Sequence, residues 1–323
     1  MEGRVLLRMN GKGEEEPMEK RKAFLQEFCH RCGYPEEATA ALTGTLEAMM
    51  NTSAFWNCVE QELRAYEAGD GQEMYEALMH LRREIQGTRI REESAALVFF
   101  ILCAGHLRQI YQRRGYAETI YWNTVMDLRR KMEECHRLYG IWGTTVAPWF
   151  CGFYSLKRFA LGRLQFEMVG MPVSISPDGT QVFKGGEPAV NIHIPSGSPL
   201  RMEEVLDSYR QAADFFTDQF DGDSVRMCCA SWLLFPGHRV MLPESSRIRQ
   251  FADTFIYMRT EFQSGADILW RIFGCAETAD LSVLPRDTQL QRAYIRWLEA
   301  GRPIGAGLGV RYEPKSAKKI NEI

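Results

Sequence analysis

The chain has 323 residues, of which 45% are hydrophobic and 25% charged, and it carries a formal charge of −3 at pH 7. That balance is ordinary for a globular protein and gives no general attraction to nucleic acid or to an anionic membrane. The length allows two domains, and nine scattered cysteines suit free thiols in a reducing compartment better than a disulfide framework.

Residues 1–17 include Glu14-Glu15-Glu16 and no apolar stretch, so they read as a flexible tail and not as a signal or transit peptide. A cytoplasmic protein is expected. From 18 to 159 the apolar residues recur near 3.6, as in Phe24, Leu25, Phe28, then Ala41, Leu42, Leu46, Met49, then Tyr75, Leu78, Met79, Leu81. Gly33-Tyr34-Pro35, Gly69-Asp70-Gly71 and Gly115-Tyr116 break the pattern as helix ends do, which predicts a helical domain of five or six helices. The longest apolar run, Ala95–Ala104, is roughly half of the ~20 residues a bilayer span needs, so a buried helix is expected there.

Two patterns in this half have bland readings. Cys29-His30-Arg31-Cys32 is a C-x-x-C that no second ligand pair answers, so no metal site is expected. Leu128-Arg129-Arg130-Lys131, followed by Glu133-Glu134, reads as a solvated face with i,i+4 pairs. Trp142 and Trp149 flank the junction and suggest firm packing between the two halves.

From 160 to 323 strands take over. Leu164–Met168 alternates, Ser176-Pro177-Asp178-Gly179 is a hairpin signal, Gln181–Lys184 starts a return strand, and Ala189–Ile194 is an apolar strand. A loop, Pro195-Ser196-Gly197-Ser198-Pro199-Leu200, then precedes an amphipathic helix from Met202 to Phe220 and a strand from Val225 to Leu234. This crossover between parallel strands puts unpaired N–H groups at a helix start beside an open strand end, a seat for an anionic cofactor. A short helix at 246–252, a strand at 255–262, helices at 267–273 and 289–300 and a last strand at 305–312 complete an α+β chain whose mixed sheet has helices on both faces.

Three antiparallel strands, a helix, a parallel strand, a helix and two closing strands make an order that resembles the GCN5-related N-acetyltransferase (GNAT) fold. The whole chain resembles bacterial acyltransferase domain-containing proteins that join a helical N-acyltransferase-type N-terminal domain to a GNAT-like C-terminal domain. The segments that carry the likeness are Trp149–Tyr154, Leu161–Glu167, Asn191–Gly197 and Cys229–Leu234. The resemblance implies acyl transfer from acetyl-CoA or another acyl-CoA to an amine on a small molecule or peptide. One departure is the missing Q/R-x-x-G-x-G/A signature in the phosphate loop. The match at Arg302-x-x-Gly305-x-Gly307 has no helix behind it, and Gly305, Gly307 and Gly309 read better as one face of a strand against bulky neighbours.

In such a sheet the ends of the two central strands, Ile192–Ile194 and Ser231–Leu233, would flank the cofactor, with loop donors from Ser196, Gly197, Ser198, Leu200 and Arg201. The candidate base is His193, which shares a strand face with Asn191, and Glu167 is the second candidate. Tyr257 and Ser231 are candidate acids, each with a structural alternative. Cys228 and Cys229 would be candidate nucleophiles, although adjacent strand cysteines usually serve as packing. The competing reading is a non-catalytic protein that keeps the fold as a ligand-binding or interaction module; the missing signature favours it, while the polar strand face at Asn191 and His193 favours the enzyme.

Overall fold

A computed structural model describes residues 18–71, 73–171, 184–262, 266–274 and 280–316. The helical periodicity resolves into α1 (Met18–Arg31), α2 (Glu36–Asn51), α3 (Ser53–Ala68), α4 (Tyr75–Glu84), α5 (Glu92–Arg113), α6 (Glu118–Tyr139) and α7 (Ala147–Tyr154). Among the described residues this is more than the five or six expected. Only Thr52 separates α2 from α3, and α7 is a short helix hidden in an apolar segment that opens with Pro148 at its first turn.

α5 is the axis of the helical half. By length and hydropathy it would qualify as a membrane span, yet 72% of its most apolar stretch is buried inside the fold, as expected for Ala95–Ala104. Burying thirteen of its residues is what holds the surrounding helices together.

The second half builds β1 (Arg158–Leu161), β2 (Leu164–Gly170), β3 (Pro188–His193), α8 (Met202–Phe215), β4 (Ser224–Ser231), α9 (His238–Met241), α10 (Arg247–Ala252), β5 (Tyr257–Phe262), α11 (Ala266–Phe273), α12 (Gln289–Glu299) and β6 (Gly305–Pro314). They form one mixed sheet in the order β1-β2-β3-β4-β6-β5, with only β3 and β4 parallel. The helical half was expected to run to 159, but Arg158–Leu161 is a strand paired with β2, from Arg158↔Glu167 to Leu161↔Leu164. Four residues are too few for alternation to show. The predicted turn at 176–179 and residues 181–183 of the return strand lie outside the described residues, and Lys184 has no regular structure.

Two ends differ from expectation for local reasons. The strand from Val225 stops at Ser231, because Ser231 Oγ accepts the Leu233 N–H at 3.2 Å and turns Trp232–Leu234 into a 3₁₀ turn. The helix from Met202 stops at Phe215, with a 3₁₀ turn following.

Alternation gives the sheet two different faces. Phe159, Phe166, Val190, Ile192, Val225, Met227 and Cys229 join Val205, Tyr209, Ala212 and Ala213 of α8 in one core. That core continues without a break through α7 and α5 to Leu25 of α1. The other face presents Arg158, Glu167, Asn191 and His193, paired in register across β1, β2 and β3. α7 covers this end of it.

β6 approaches its neighbours as the glycine reading predicted. A Cβ on Gly307 would lie 2.4 Å from the Leu234 carbonyl oxygen, and one on Gly309 would lie 2.7 Å from the Phe255 ring. Gly307→Ala should therefore destabilise the protein by about 1–3 kcal/mol through overpacking against backbone. A thermal melt matching the parent would show that the strand can move away at no cost.

Candidate active site

The site grows from the cross-strand pairing of β2 and β3. Register sets Gln165 opposite His193 and Glu167 opposite Asn191, so four polar side chains share one face of two adjacent strands. Glu167 Oε2 accepts from Arg158 Nη2 at 2.6 Å and from Nε at 3.1 Å, and His193 Nε2 lies 3.2 Å from the same oxygen. Asn191 Nδ2 is 3.2 Å from His193 Nε2. The structure thus brings the two candidate bases into one pair.

α7 closes the site from the side. The Trp149 ring meets His193 edge to face, with centroids 4.8 Å apart, and the Arg158 guanidinium stacks on the same indole at 3.6 Å. Arg158 Nη1 also donates to the Trp149 carbonyl at 2.6 Å. Trp149 Nε1–H in turn donates to Asp127 Oδ2 of α6 at 2.9 Å.

These neighbours set the charge states. Burial pulls the His193 imidazole below its ordinary value and the Arg158 charge adds to this, outweighing the hydrogen bond to Glu167 that favours the cation. Burial alone would raise the Glu167 carboxyl, but bonds from His193 and Arg158, together with the Arg158 charge, carry it below its usual value. At neutral pH the pair is a carboxylate beside a neutral imidazole.

The pair sits where the sheet opens. β3 and β4 pair only at Val190↔Met227 and Asn191↔Cys228, although β3 runs on to His193 and β4 to Ser231. Past that point their edges are free to bond a ligand. The 194–201 loop follows directly, with Gly197 at φ +91° and Ser196, Gly197 and Ser198 exposed; Ile192 is buried and Ile194 half-buried.

This loop is held from two sides. Arg163 Nη2 donates to the Ser198 carbonyl at 2.6 Å and Arg163 Nε to that of Pro199 at 3.3 Å. Arg163 is itself fixed by a tight turn: Gly162 has φ +67°, and a Cβ there would come within 2.6 Å of Ser208 Oγ. From α6, the Arg130 side chain lies beside the turn, 3.7 Å from where a Cβ on Gly197 would sit, and Glu134 Oε1 accepts from Ser196 Oγ at 2.5 Å. Burial lowers the Arg163 pKa to about 10, helped by the nearby Arg130 charge, and it stays cationic. Arg201 instead forms an exposed pair with Glu204 at 2.9 Å, and Leu200 packs half-buried on the core.

The basic segment of α6 is therefore not the solvated face expected. Arg129 does pair with Glu133 at i,i+4, but Asp127, Arg130 and Glu134 turn toward the sheet and its loop. The spacing 127, 130, 134 was readable as a stripe on one helix face. Arg158 gave no such signal, since its partners lie on two other elements, β2 and α7.

The remaining candidates lie elsewhere. Ser231 is on the opposite sheet face from His193 and its hydroxyl caps the turn after β4. Tyr257 is on β5, three strand spacings or about 14 Å from β3, and its side chain lies outside the described residues. Cys228 and Cys229 are both buried, one on each face, and burial raises the Cys228 thiol to about 11, which suits packing and not nucleophilic attack. Cys29 and Cys32 are buried with thiols raised to about 12, and among the described residues no group of three or more His, Cys, Asp and Glu is placed to hold a metal ion.

Glu167→Gln should shift the His193 titration further down, because it removes the anion that favours imidazolium and leaves the Arg158 charge unopposed. NMR titration of the imidazole reads this directly; an unchanged or higher midpoint would mean that the two groups do not form a pair.

A model of the N-acyltransferase N-terminal domain matches residues 23–156, and one of the GNAT-like C-terminal domain matches residues 158–311. No curated protein matches the chain. Among solved structures, an acyltransferase in which a tryptophan is mutated to alanine, in complex with octanoyl-CoA, is 22% identical with a TM-score of 0.68. Acyltransferases in complex with decanoyl-CoA and teicoplanin, and with CoA and 10C-teicoplanin, are each 23% identical with TM-scores of 0.66 and 0.68. In all three the match covers 90% of this chain and 88% of the other. At such identities the likeness shows a shared fold. The chain belongs with the proteins that join an N-acyltransferase N-terminal domain to a GNAT-like C-terminal domain.

Proposed function

We propose that the chain is an acyl-CoA-dependent N-acyltransferase in which His193 is the general base. The observation that carries this is the pair of neutral His193 and anionic Glu167 beside the divergence of β3 from β4. With Nε2–H directed at the carboxylate, Nδ1 is left as the basic nitrogen. The acceptor amine attacks the thioester carbonyl carbon, His193 takes the amine proton, and the tetrahedral intermediate collapses with rupture of the C–S bond. The CoA thiolate leaves and takes up the proton held by His193, which restores the neutral base, so the products are an amide and the free thiol.

The cofactor reading rests on charge and main chain. The exposed loop at 196–198, the N–H groups opening α8, and Arg130 and Arg163 gather positive potential where a pyrophosphate would lie. Glu203 and Glu204 in the first turn of α8 oppose it, but Glu204 is partly neutralised by Arg201. The arginines supply what the missing glycine signature does not. The solved relatives bound to octanoyl-CoA and decanoyl-CoA favour a medium-length acyl group, and those with teicoplanin favour a small-molecule acceptor.

Octanoyl-CoA or decanoyl-CoA at a hundredfold excess over Kd should stabilise the protein by about 3 kcal/mol and raise its melting temperature by several degrees. No shift with either ligand or with acetyl-CoA at millimolar concentration would remove the cofactor assignment. His193→Ala should keep that shift while losing about 100-fold or more in kcat with teicoplanin or another primary amine as acceptor. Full turnover by this variant would take His193 out of the mechanism.

A further inference from the structure

We infer that Asp127 is a positioning residue for His193 and acts through Trp149. This rests on His193 being the base, as proposed above, and adds a residue from the helical half to the machinery of the sheet.

Asp127 is 1% exposed, a depth at which a carboxylate is costly unless it is hydrogen-bonded or paired. Oδ2 accepts the Trp149 indole N–H at 2.9 Å, while Oδ1 makes no hydrogen bond and has only the Arg130 charge, Nη1 at 3.9 Å. Hydrogen bonding of Trp149 at its nitrogen removes the freedom of the ring to rotate about its side-chain bonds. That ring touches the base and one of the groups that orient it: its face lies under Arg158 at 3.6 Å, and it meets His193 at 4.8 Å with an interplanar angle of 89°. Arg158 then fixes Glu167, and Glu167 meets His193. His193 is thus bounded on two sides by groups whose places depend on one indole.

Packing alone does not explain an aspartate here. Trp149 is only half-buried, and its ring would fill the same space without a charged partner. Thr124, one turn earlier on α6, bonds the Ala160 N–H of β1 at 3.2 Å, so α6 is already docked on the sheet without Asp127. What Asp127 adds is the orientation of the indole. The charged groups facing His193 are Glu167 from β2, Arg158 from β1 and Asp127 itself from α6.

The test needs no ligand for its first reading. In the free protein the His193 ring signals should carry the ring-current displacement expected of an imidazole against an indole. Asp127→Ala should move them toward ordinary histidine values, whereas Asp127→Asn, which keeps an oxygen for the indole N–H, should leave them near the parent's. Release of CoA thiol from decanoyl-CoA with teicoplanin should fall about 100-fold in kcat for Asp127→Ala and stay within about threefold for Asp127→Asn, with the KM for decanoyl-CoA little changed in both. His193 signals unmoved in Asp127→Ala would overturn the inference. Full activity of His193→Ala would instead defeat the base assignment and leave the spectral result standing. Should Asp127→Ala not fold, Trp149→Phe cuts the same bond from the other end, and a kcat within about threefold of the parent for that variant would equally overturn the inference.

Discussion

A guanidinium taken out of water has N–H groups to satisfy and a charge to offset, and at the seam between helices and sheet Arg158 bonds through all three of its nitrogens and faces a carboxylate. Its side chain is 10% exposed, it gives two bonds to Glu167 and one to the Trp149 carbonyl, and it lies flat on the Trp149 indole. A delocalised planar cation suits that combination of carboxylate, carbonyl and aromatic face, and a lysine would not reproduce it. A Cβ on Gly152 would come within 2.9 Å of the same guanidinium, so the helix beside it is cut away to make room. Removing either partner of the Arg158–Glu167 pair would leave the other buried and unpaired, a loss of about 3–5 kcal/mol in comparable pairs. The charge state of Glu167 follows from the His193 bond together with this side chain.

α6 gives the site its other constraint. Thr124, Asp127, Arg130 and Glu134 fall on one face of the helix and reach, in that order, β1, the Trp149 indole, the Gly197 turn and Ser196. One rigid helix therefore spans from the base to the loop that follows β3. In GNAT-like sheets the loop alone is expected to cradle phosphate through glycine amides; here side chains from α6 and the β1–β2 turn brace a loop with prolines at 195 and 199.

Much of this was legible in sequence because it depends on period and order. The alternation of Leu164–Met168, the crossover through Ala189–Ile194 to Val225 and the polar face of Asn191 and His193 all survive in the folded chain, since a two-residue repeat fixes which side chains share a face. Pairing Glu167 with His193 required the register of two strands separated by residues 171–187, and no local pattern encodes register. Arg158 and Asp127 were out of reach for the same reason in stronger form, because each matters through partners on other elements. Ser231 misled because a hydroxyl at a strand end looks the same in sequence whether it faces a cleft or caps the next turn.

The apolar core that starts in α1 also contains Phe159, Phe166, Ile192 and the inner face of α8, so no layer of water separates helices from sheet. Sequence models divide the chain between 156 and 158, but the packing does not divide there: Tyr111 of α5 and Tyr116 in the turn after it meet Phe159 with centroids 6.1 and 5.5 Å apart. The two matched segments share one continuous apolar core. A sheet half severed from its helices would carry an aromatic wound across β1 and β2.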